Sequence, residues 1–199
     1  MESRIRPRLS ILPLLLALCA CADPATEATT ATADGDGATN AAPSPTTLTA
    51  TGLGAVRLGM SVAAAEQALG AKLAPMSAGQ EAACWQTRRA DGASPQVFYM
   101  VENGVLTRID IDRRTEPAVP GPEFKTAAGI GIGATEPDVI AAYGAGTEIL
   151  PHKYDENGHT LMVNGPDAKS ALLFETSDGK VTTFRAGLHP AVDYVEGCS

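Results

Sequence analysis

The sequence predicts an α+β domain made of two tandem copies of a short helix plus an antiparallel β-meander, with the helices packed on one face of a sheet. Three observations predict this class. Short apolar runs alternate with the two-residue turn signals Asn103-Gly104, Asn157-Gly158 and Asp178-Gly179. Two brief helical patterns each end at a glycine. A weak internal repeat relates the two halves of the chain.

Each copy starts with an apolar segment, a glycine and a residue that can cap a helix. Residues 55–70 align with residues 129–144. Ser61 and Thr135 are the predicted N-caps, and Thr135 with Asp138 predicts a capping box. About eight helical residues follow, and Gly70 and Gly144 lie where a left-handed C-terminal cap is expected. We expect the helices to bury these apolar side chains: Val62, Ala65, Leu69, Val139, Ile140 and Tyr143.

The predicted strands follow each helix. Antiparallel pairing is expected because the turn signals join neighbouring strands directly. In the first copy, about 52–113, the strands are Cys84–Arg88, Gln96–Val101 and Val105–Ile111. In the second copy, about 126–199, they are His152–Glu156, His159–Val163, Leu172–Thr176 and Val181–Gly187.

The first twenty residues have the pattern of a secretory signal peptide. A basic segment, 1–8, precedes an apolar run of about 12 residues, which is too short for a bilayer span of about 20. Leu18-Cys19-Ala20-Cys21 resembles the bacterial lipobox, which implies that 1–20 is removed and Cys21 carries the lipid. Ordinary cleavage without lipid is the alternative. Ala22, rather than Asp, follows the cysteine, and the resemblance therefore implies an outer-membrane anchor facing the periplasm.

A linker is predicted between this anchor and the domain. Residues 22–48 are almost entirely Ala, Thr, Pro, Asp, Gly and Ser, a composition that cannot bury enough apolar surface to fold. The segments are therefore 1–20, signal peptide; 21–48, lipidated cysteine and disordered linker; and 49–199, the α+β domain. The chain carries a net charge of −8, and its first twenty residues hold three arginines against one glutamate. Without them the charge is −10, which disfavours a nucleic-acid partner.

Two cysteines remain once Cys19 is cleaved off and Cys21 is acylated. An oxidising compartment makes a disulfide between Cys84 and Cys198 the expected state. The alternative is a nucleophilic Cys84, for which no partner motif is evident.

A family resemblance rests on Leu58-Gly59-Met60-Ser61, the helix and Gly70, with Ile132-Gly133-Ala134-Thr135 and Gly144 in the second copy. This pattern resembles the β-lactamase-inhibitory-protein fold and the SmpA/OmlA type of small outer-membrane lipoprotein. The C-terminal stretch 190–198 is similar to that of uncharacterised proteobacterial lipoproteins. The presence of two tandem copies fits the inhibitor fold, whereas the lipid anchor fits the SmpA/OmlA type. Both groups imply binding of a protein partner without catalysis.

The histidines give a candidate binding face. If the strands pair around Asn157-Gly158, even positions join odd ones, and His152 and His159 share a face with Tyr154 and Glu156. A solvated polar face is the plain interpretation, and a ligand- or partner-binding face is the functional one. The spacing and the lack of a third ligand disfavour a metal site.

Charged residues on two predicted strands each allow a structural and a functional interpretation. Arg108, Asp110 and Asp112 alternate with isoleucines, which predicts a solvated strand face rather than an acid/base pair. One alignment of the copies matches Arg185 with inward-facing Ile109, so that Arg185 projects into a groove to meet an anionic group. The other interpretation makes Thr182, Phe184 and Ala186 the core face.

No catalytic, phosphate-loop or metal signature stands out. The glycines of 129–133 resemble a dinucleotide fingerprint, but the first copy has a single glycine there. The sequence therefore predicts no enzyme, no cofactor and no metal. It predicts an envelope lipoprotein that binds a protein through a candidate face of His152, Tyr154, His159 and Arg185, in envelope assembly or hydrolase inhibition. A glycan- or cell-wall-binding module is the first alternative, and an unrecognised cell-wall hydrolase is the second.

Overall fold

The structure is a computed structural model that describes residues 44–76, 83–112 and 122–198. The predicted signal peptide, Cys21 and most of the linker lie outside these residues. The first half contains β1 (Thr47–Thr49), β2 (Gly52–Leu53), β3 (Val56–Arg57), α1 (Val62–Leu69), β4 (Leu73–Pro75), β5 (Cys84–Arg89), β6 (Val97–Glu102) and β7 (Val105–Asp112). The second contains β8 (Lys125–Thr126), α2 (Glu136–Tyr143), β9 (Glu148–Pro151), β10 (His159–Asn164), β11 (Ser170–Ser177) and β12 (Lys180–Leu188). Short 3₁₀ turns span Gly144–Gly146 and Ala191–Asp193.

Eight antiparallel strands form the main sheet, in the order β4-β5-β6-β7-β12-β11-β10-β9. Each half of the chain therefore supplies four neighbouring strands, and β7 meets β12 in the middle. Arg185 of β12 lies opposite Asp110 of β7. A small second sheet, β3-β2-β1-β8, was not predicted; in it β1 and β8 run parallel. The α+β class is thus confirmed, with short helices and mostly antiparallel strands.

Local sequence signals account for the helix ends. Ser61 caps α1 by accepting a hydrogen bond from the Ala64 N–H, and Gly70 ends the helix in the left-handed region. Thr135 and Asp138 form the predicted capping box at α2. Gly144 departs from the prediction: it has φ 78° and ψ −167° and begins a 3₁₀ turn rather than forming a left-handed cap.

Two predicted hairpin turns are confirmed. Asn103-Gly104 joins β6 to β7 and Asp178-Gly179 joins β11 to β12, and all four residues have positive φ. Such turns match the right-handed twist of the flanking strands. The turn at Asn157-Gly158 is different. The Gly158 carbonyl accepts from the His152 N–H, so the connection is a loop and β9 ends before His152.

The core lies on one face of the main sheet. Ala65 of α1 and Val139 of α2 are buried in the same cluster as Ile109 and Phe184 of the central strands. We call this the core face. Ile140, expected to be buried, is exposed on α2, because Val139 takes the inward position. The other face carries a smaller apolar cluster of Ala171, Leu173, Val192 and partly buried Met162.

Candidate binding cleft

A cleft of about 750 Å³ opens on the face of the main sheet opposite the core face. Its floor comes from β5, β6, β7, β11 and β12, and its walls come from the loop after β9 and from residues 195–197. This volume lies within the range of about 300–1,000 Å³ that is typical of ligand sites. Concavity and size therefore make the cleft the strongest candidate site in the described part of the chain.

Strand alternation places charged side chains on its floor. Because successive side chains point to opposite faces, Ile109 and Phe184 enter the core while Arg108, Asp110 and Arg185 face the cleft. Arg185 therefore does not take the inward position of Ile109. Phe184 and Ala186 form the core face, as the other interpretation held, but Thr182 lines the cleft instead of joining them.

Arg185 forms a buried ion pair with Glu175 of β11. Arg185 Nη1 lies 2.7 Å from Glu175 Oε1, and the two side chains are only 7% and 9% exposed. Thr183 Oγ1 donates to Glu175 Oε2 at 3.1 Å. Burial acts to raise the pKa of Glu175, but the charge of Arg185 and these hydrogen bonds outweigh it and hold the pKa below its usual value. The carboxyl group of Glu175 is therefore ionised at neutral pH and is held in position by Arg185 and Thr183.

Arg108 forms a second ion pair and holds the end of the chain. Its Nε donates to Asp110 Oδ2 at 2.9 Å, and its Nη1 donates to the carbonyls of Ala191 (3.1 Å) and Tyr194 (2.7 Å). The predicted solvated face on β7 is therefore wrong: Arg108 is buried, because residues from the C-terminus lie over it. A single strand's alternation cannot reveal a cover that comes from more than eighty residues away.

These covering residues, 189–198, are called the C-terminal strap below. Val192 is buried in the cluster with Ala171 and Leu173, and its carbonyl accepts from Arg185 Nε at 2.9 Å. The strap ends at Cys198, which forms the predicted disulfide with Cys84 of β5; their Cα atoms are 5.6 Å apart. The strap therefore crosses the sheet from β12 to β5 and closes one side of the cleft.

His152 and Tyr154 form the opposite wall. His152 Nδ1 accepts from the N–H groups of Tyr154 (3.2 Å) and Asp155 (3.0 Å), so the neutral ring carries its hydrogen on Nε2. That nitrogen lies 3.7 Å from Glu175 Oε2. The Tyr154 hydroxyl donates to Glu196 of the strap. The two walls of the cleft are thus joined across its mouth.

His159 does not belong to this site. In the β9–β10 register His159 lies opposite Pro151, so odd-numbered residues of one strand pair with odd-numbered residues of the other. Paired residues share a face, and His152 therefore lies on the opposite face from His159. The prediction that these two histidines share a face is wrong. His159 Nδ1 instead lies 2.9 Å from Glu136 Oε1 at the start of α2. Burial acts to raise the pKa of Glu136, but hydrogen bonds from Thr176 and His159 prevail and lower it. The structure therefore brings together His152, Tyr154 and Arg185 and separates His159 from them.

Acidic side chains outnumber basic ones in the lining of the cleft, and exposed apolar or aromatic side chains lie at its edge. Two lining arginines, Arg108 and Arg185, face five carboxylates: Asp110, Asp112, Asp155, Glu175 and Glu196. Three apolar or aromatic side chains at the edge of the cleft are well exposed: Met76 at 42%, Tyr154 at 60% and Val195 at 40%.

Sequence reasoning missed Glu175 and the strap. The available signal for Glu175 was that it directly follows the apolar run Ala171–Phe174, and a charged side chain beside such a run is buried only when it has a partner. For the strap, the signal was Cys198 itself, whose pairing with Cys84 draws the C-terminus across the sheet.

Within the described ranges, no three His, Cys, Asp or Glu side chains are grouped so that they could hold a metal ion. Neither helix of the described chain is long and apolar enough to cross a membrane. No protein-family model matches the chain, and no curated protein matches it in sequence.

Proposed function

We propose that the chain is a lipid-anchored protein of the bacterial envelope that faces the periplasm and binds another protein, without catalysis, in the cleft. The observation that carries this proposal is a cleft of about 750 Å³ with three exposed apolar side chains at its mouth. Exposed apolar groups gathered at a concave site are typical of binding surfaces. Envelope assembly and hydrolase inhibition are the two roles that such binding would serve.

The polar side chains of the cleft are hydrogen-bonded to one another or to the backbone, which favours binding over catalysis. Glu175 is held by Arg185 and Thr183, and Asp110 is held by Arg108. His152 Nδ1 already accepts two backbone hydrogen bonds, so protonating it would break both. These contacts make a rigid surface rather than a group ready to transfer a proton.

We further infer that the two halves are tandem copies of one unit. In the first half, Gly59 N–H donates to the Leu106 carbonyl and Leu106 N–H donates to the Met60 carbonyl. In the second half, the same two bonds join Gly133 to Val181 and Val181 to Ala134. Each glycine motif thus fixes the start of its helix to the last strand of its own meander. The equivalence supports the resemblance to helix-plus-sheet repeats that bind proteins.

The anchor is proposed from the lipobox-like residues 18–21, and Ala22 supports outer-membrane sorting. Expression in a proteobacterium with radiolabelled palmitate tests it. We expect the label in the wild-type chain and in Cys19→Ser, and its loss in Cys21→Ser. Label retained by Cys21→Ser would refute the anchor without bearing on the cleft.

The binding proposal is tested by blocking the cleft. Thr182 is exposed and lines the cleft, so Thr182→Trp fills it from the surface. Glu148→Trp places the same side chain on exposed β9, away from the cleft, and is the matched control. The full chain, immobilised with its disulfide intact, is exposed to a proteobacterial envelope extract. We expect one saturable protein partner that Glu148→Trp retains and Thr182→Trp loses. Equal capture by both variants would refute the cleft as the site.

A glycan- or cell-wall-binding function is the second candidate. It is favoured by the exposed Tyr154 ring beside Asp155 at the cleft mouth, since a flat aromatic face next to a carboxylate suits a sugar ring. Co-sedimentation of the chain with purified peptidoglycan tests it. Sedimentation that Tyr154→Ala abolishes would favour this function over protein binding.

A further inference from the structure

The first part of the C-terminal strap is held by buried contacts. Val192 is completely buried, and its carbonyl accepts a hydrogen bond from Arg185 Nε at 2.9 Å. Arg108 Nη1 donates to the carbonyls of Ala191 and Tyr194 at 3.1 Å and 2.7 Å. Because a buried polar group that loses its partner is costly, this part of the strap should stay on the sheet even when the end of the chain is free.

The end of the strap depends more on the disulfide. The hydrogen bond from the Tyr154 hydroxyl to Glu196 joins two exposed side chains, and such a bond adds little stability because it replaces bonds to water. Gly197 is buried but has no side chain to pack. The bond from Cys198 to Cys84 is therefore the strongest tie of this end of the strap.

Met100 of β6 shows what the end of the strap covers. It pairs with Gln86 of β5 and with Arg108 of β7, and it therefore lies on the same face of the sheet as they do. The Tyr194 carbonyl lies over Arg108, and Gly197 lies against the side-chain amide of Gln86. The strap between these two contacts crosses above Met100, which is completely buried. The burial of Met100 thus reports whether the end of the strap is in place.

Resting on the proposed function, we propose that the Cys84–Cys198 disulfide is a redox switch of the cleft, and that a dithiol reductant opens it and stops partner binding. Both cysteines are partly exposed, so a dithiol has access to them. One thiolate of the dithiol attacks a sulfur of the pair, which breaks the S–S bond and forms a mixed disulfide. The second thiolate of the dithiol then displaces the protein sulfur. The dithiol is oxidised to a disulfide, and Cys84 and Cys198 take up its electrons and protons as two thiols.

Reduction would remove one wall of the cleft, since residues 195–197 form that wall. Val195 is one of the three exposed apolar side chains at the mouth, and it would leave with the strap. Glu196 would leave as well, and its bond to Tyr154, which joins the two walls, would be lost. The oxidised chain is therefore the binding form.

Oxidation of methionines by hydrogen peroxide, followed by mass spectrometry of the full chain, tests the release of the strap. Cys84→Ser with Cys198→Ser represents the reduced state without thiols that would consume peroxide. We expect Met100 to react at least about tenfold faster in this variant than in the disulfide-bonded wild type, because exposed methionines are oxidised first. Met76, which is exposed in both, should react at the same rate in the two proteins.

Two further methionines separate release of the strap from unfolding of the domain. Met162 packs beside Val192 and reports on the first part of the strap, and Met60 packs against the core cluster. We expect both to react less than about twofold faster in the double variant. If Met60 also becomes reactive, the experiment is repeated in sucrose, which favours the compact state, at a concentration that protects Met60 again. Met100 that stays reactive there supports the proposal, and Met100 that is protected together with Met60 overturns it.

Tyr154→Phe is the matched control. It removes the hydrogen bond to Glu196 but keeps the disulfide, so Met100 should stay protected, with a rate within about twofold of the wild type. A rate as high as that of the double variant would mean that this bond, rather than the disulfide, holds the strap.

Capture from a proteobacterial envelope extract connects the switch to binding. We expect the protein that the disulfide-bonded wild type retains, and that Thr182→Trp loses, to be retained at least about tenfold less by the double variant. Equal capture by wild type and double variant, or Met100 that stays protected in the double variant, would overturn the switch and leave the proposed function intact. If the wild type captures no protein, the proposed function fails, and the regulation of binding fails with it.

Discussion

Removing the cation of the buried ion pair is the most informative single change. Arg185→Met keeps much of the volume of the side chain but removes the cation that lies 2.7 Å from the buried carboxylate of Glu175. Losing one partner of a buried pair costs about 3–5 kcal/mol, because the remaining charge is no longer compensated. For a domain of this size that corresponds to a fall of roughly 6–20 °C in Tm.

The loss of stability caused by Arg185→Met should depend on pH. In the wild type the pKa of Glu175 is lowered, so the pair contributes stability above the unfolded-state pKa of about 4.3 and loses it as the pH falls through the folded-state value. In Arg185→Met the largest influence that lowers the pKa of Glu175 is gone while burial still raises it, so this pKa should be higher than in the wild type. The ionised carboxylate then contributes less stability at neutral pH. The gap between wild type and variant should therefore be largest at neutral pH and shrink below about pH 4.

Urea unfolding of the full chain at neutral and acidic pH, with the disulfide intact, measures this gap. Arg185→Met with Glu175→Gln is the control, because it removes the carboxylate together with its cation and should recover much of the loss. A cost below about 1 kcal/mol, or a cost that is the same at both pH values, would refute the account of the pair as buried and mutually compensating.

Three other changes test separate parts of the fold by urea unfolding. Cys84→Ser releases the strap from β5 and should lower the free energy of unfolding by up to about 4.7 kcal/mol, the chain-entropy value for a loop of roughly 100 residues; a loss below about 1 kcal/mol would mean that the strap needs no covalent tie. Phe174→Ala removes a fully buried ring that stacks on Phe184 and should cost about 3–5 kcal/mol, and a near-neutral effect would contradict its place in the core. Thr135→Ala breaks the capping box of α2 and should cost about 0.5–2 kcal/mol, whereas Thr160→Ala, away from any helix end, should cost less.

Local signals predicted local structure well. Asn103-Gly104 and Asp178-Gly179 adopt the turns expected of them because positive φ is tolerated by Asn, Asp and Gly. Ser61 and Thr135 cap their helices because their hydroxyls reach backbone N–H groups that the helix leaves unpaired. In each case the determining interaction lies within a few residues of the chain.

The β9–β10 connection shows where such reasoning fails. Asn157-Gly158 has the composition of a tight turn, but the Asp155 carboxylate accepts from the Asn157 N–H and His152 Nδ1 accepts from two N–H groups, so the loop closes on itself. Odd-numbered residues of β9 then pair with odd-numbered residues of β10, which places His159 on the sheet face opposite that of His152. Side-chain to backbone bonds of this kind compete with the ladder and leave no periodic signal in the sequence.

The candidate site was predicted only in part. His152, Tyr154 and Arg185 do line one cleft, but Arg185 was placed by an alignment that matched it with Ile109. Its true surroundings depend on Glu175 one strand away and on Val192 of the strap. Contacts that join three distant segments follow from strand order and from the disulfide, and neither can be read from the spacing of one strand.

Site-specific photocrosslinking in living cells tests the central claim most directly. A photoreactive phenylalanine analogue is placed at Thr182, which lines the cleft, and separately at Glu148 on β9, which does not. The account predicts an adduct with one discrete envelope protein from the first position and none from the second. The absence of any adduct at Thr182, or the same adducts from both positions, would contradict the claim that the cleft binds a protein partner.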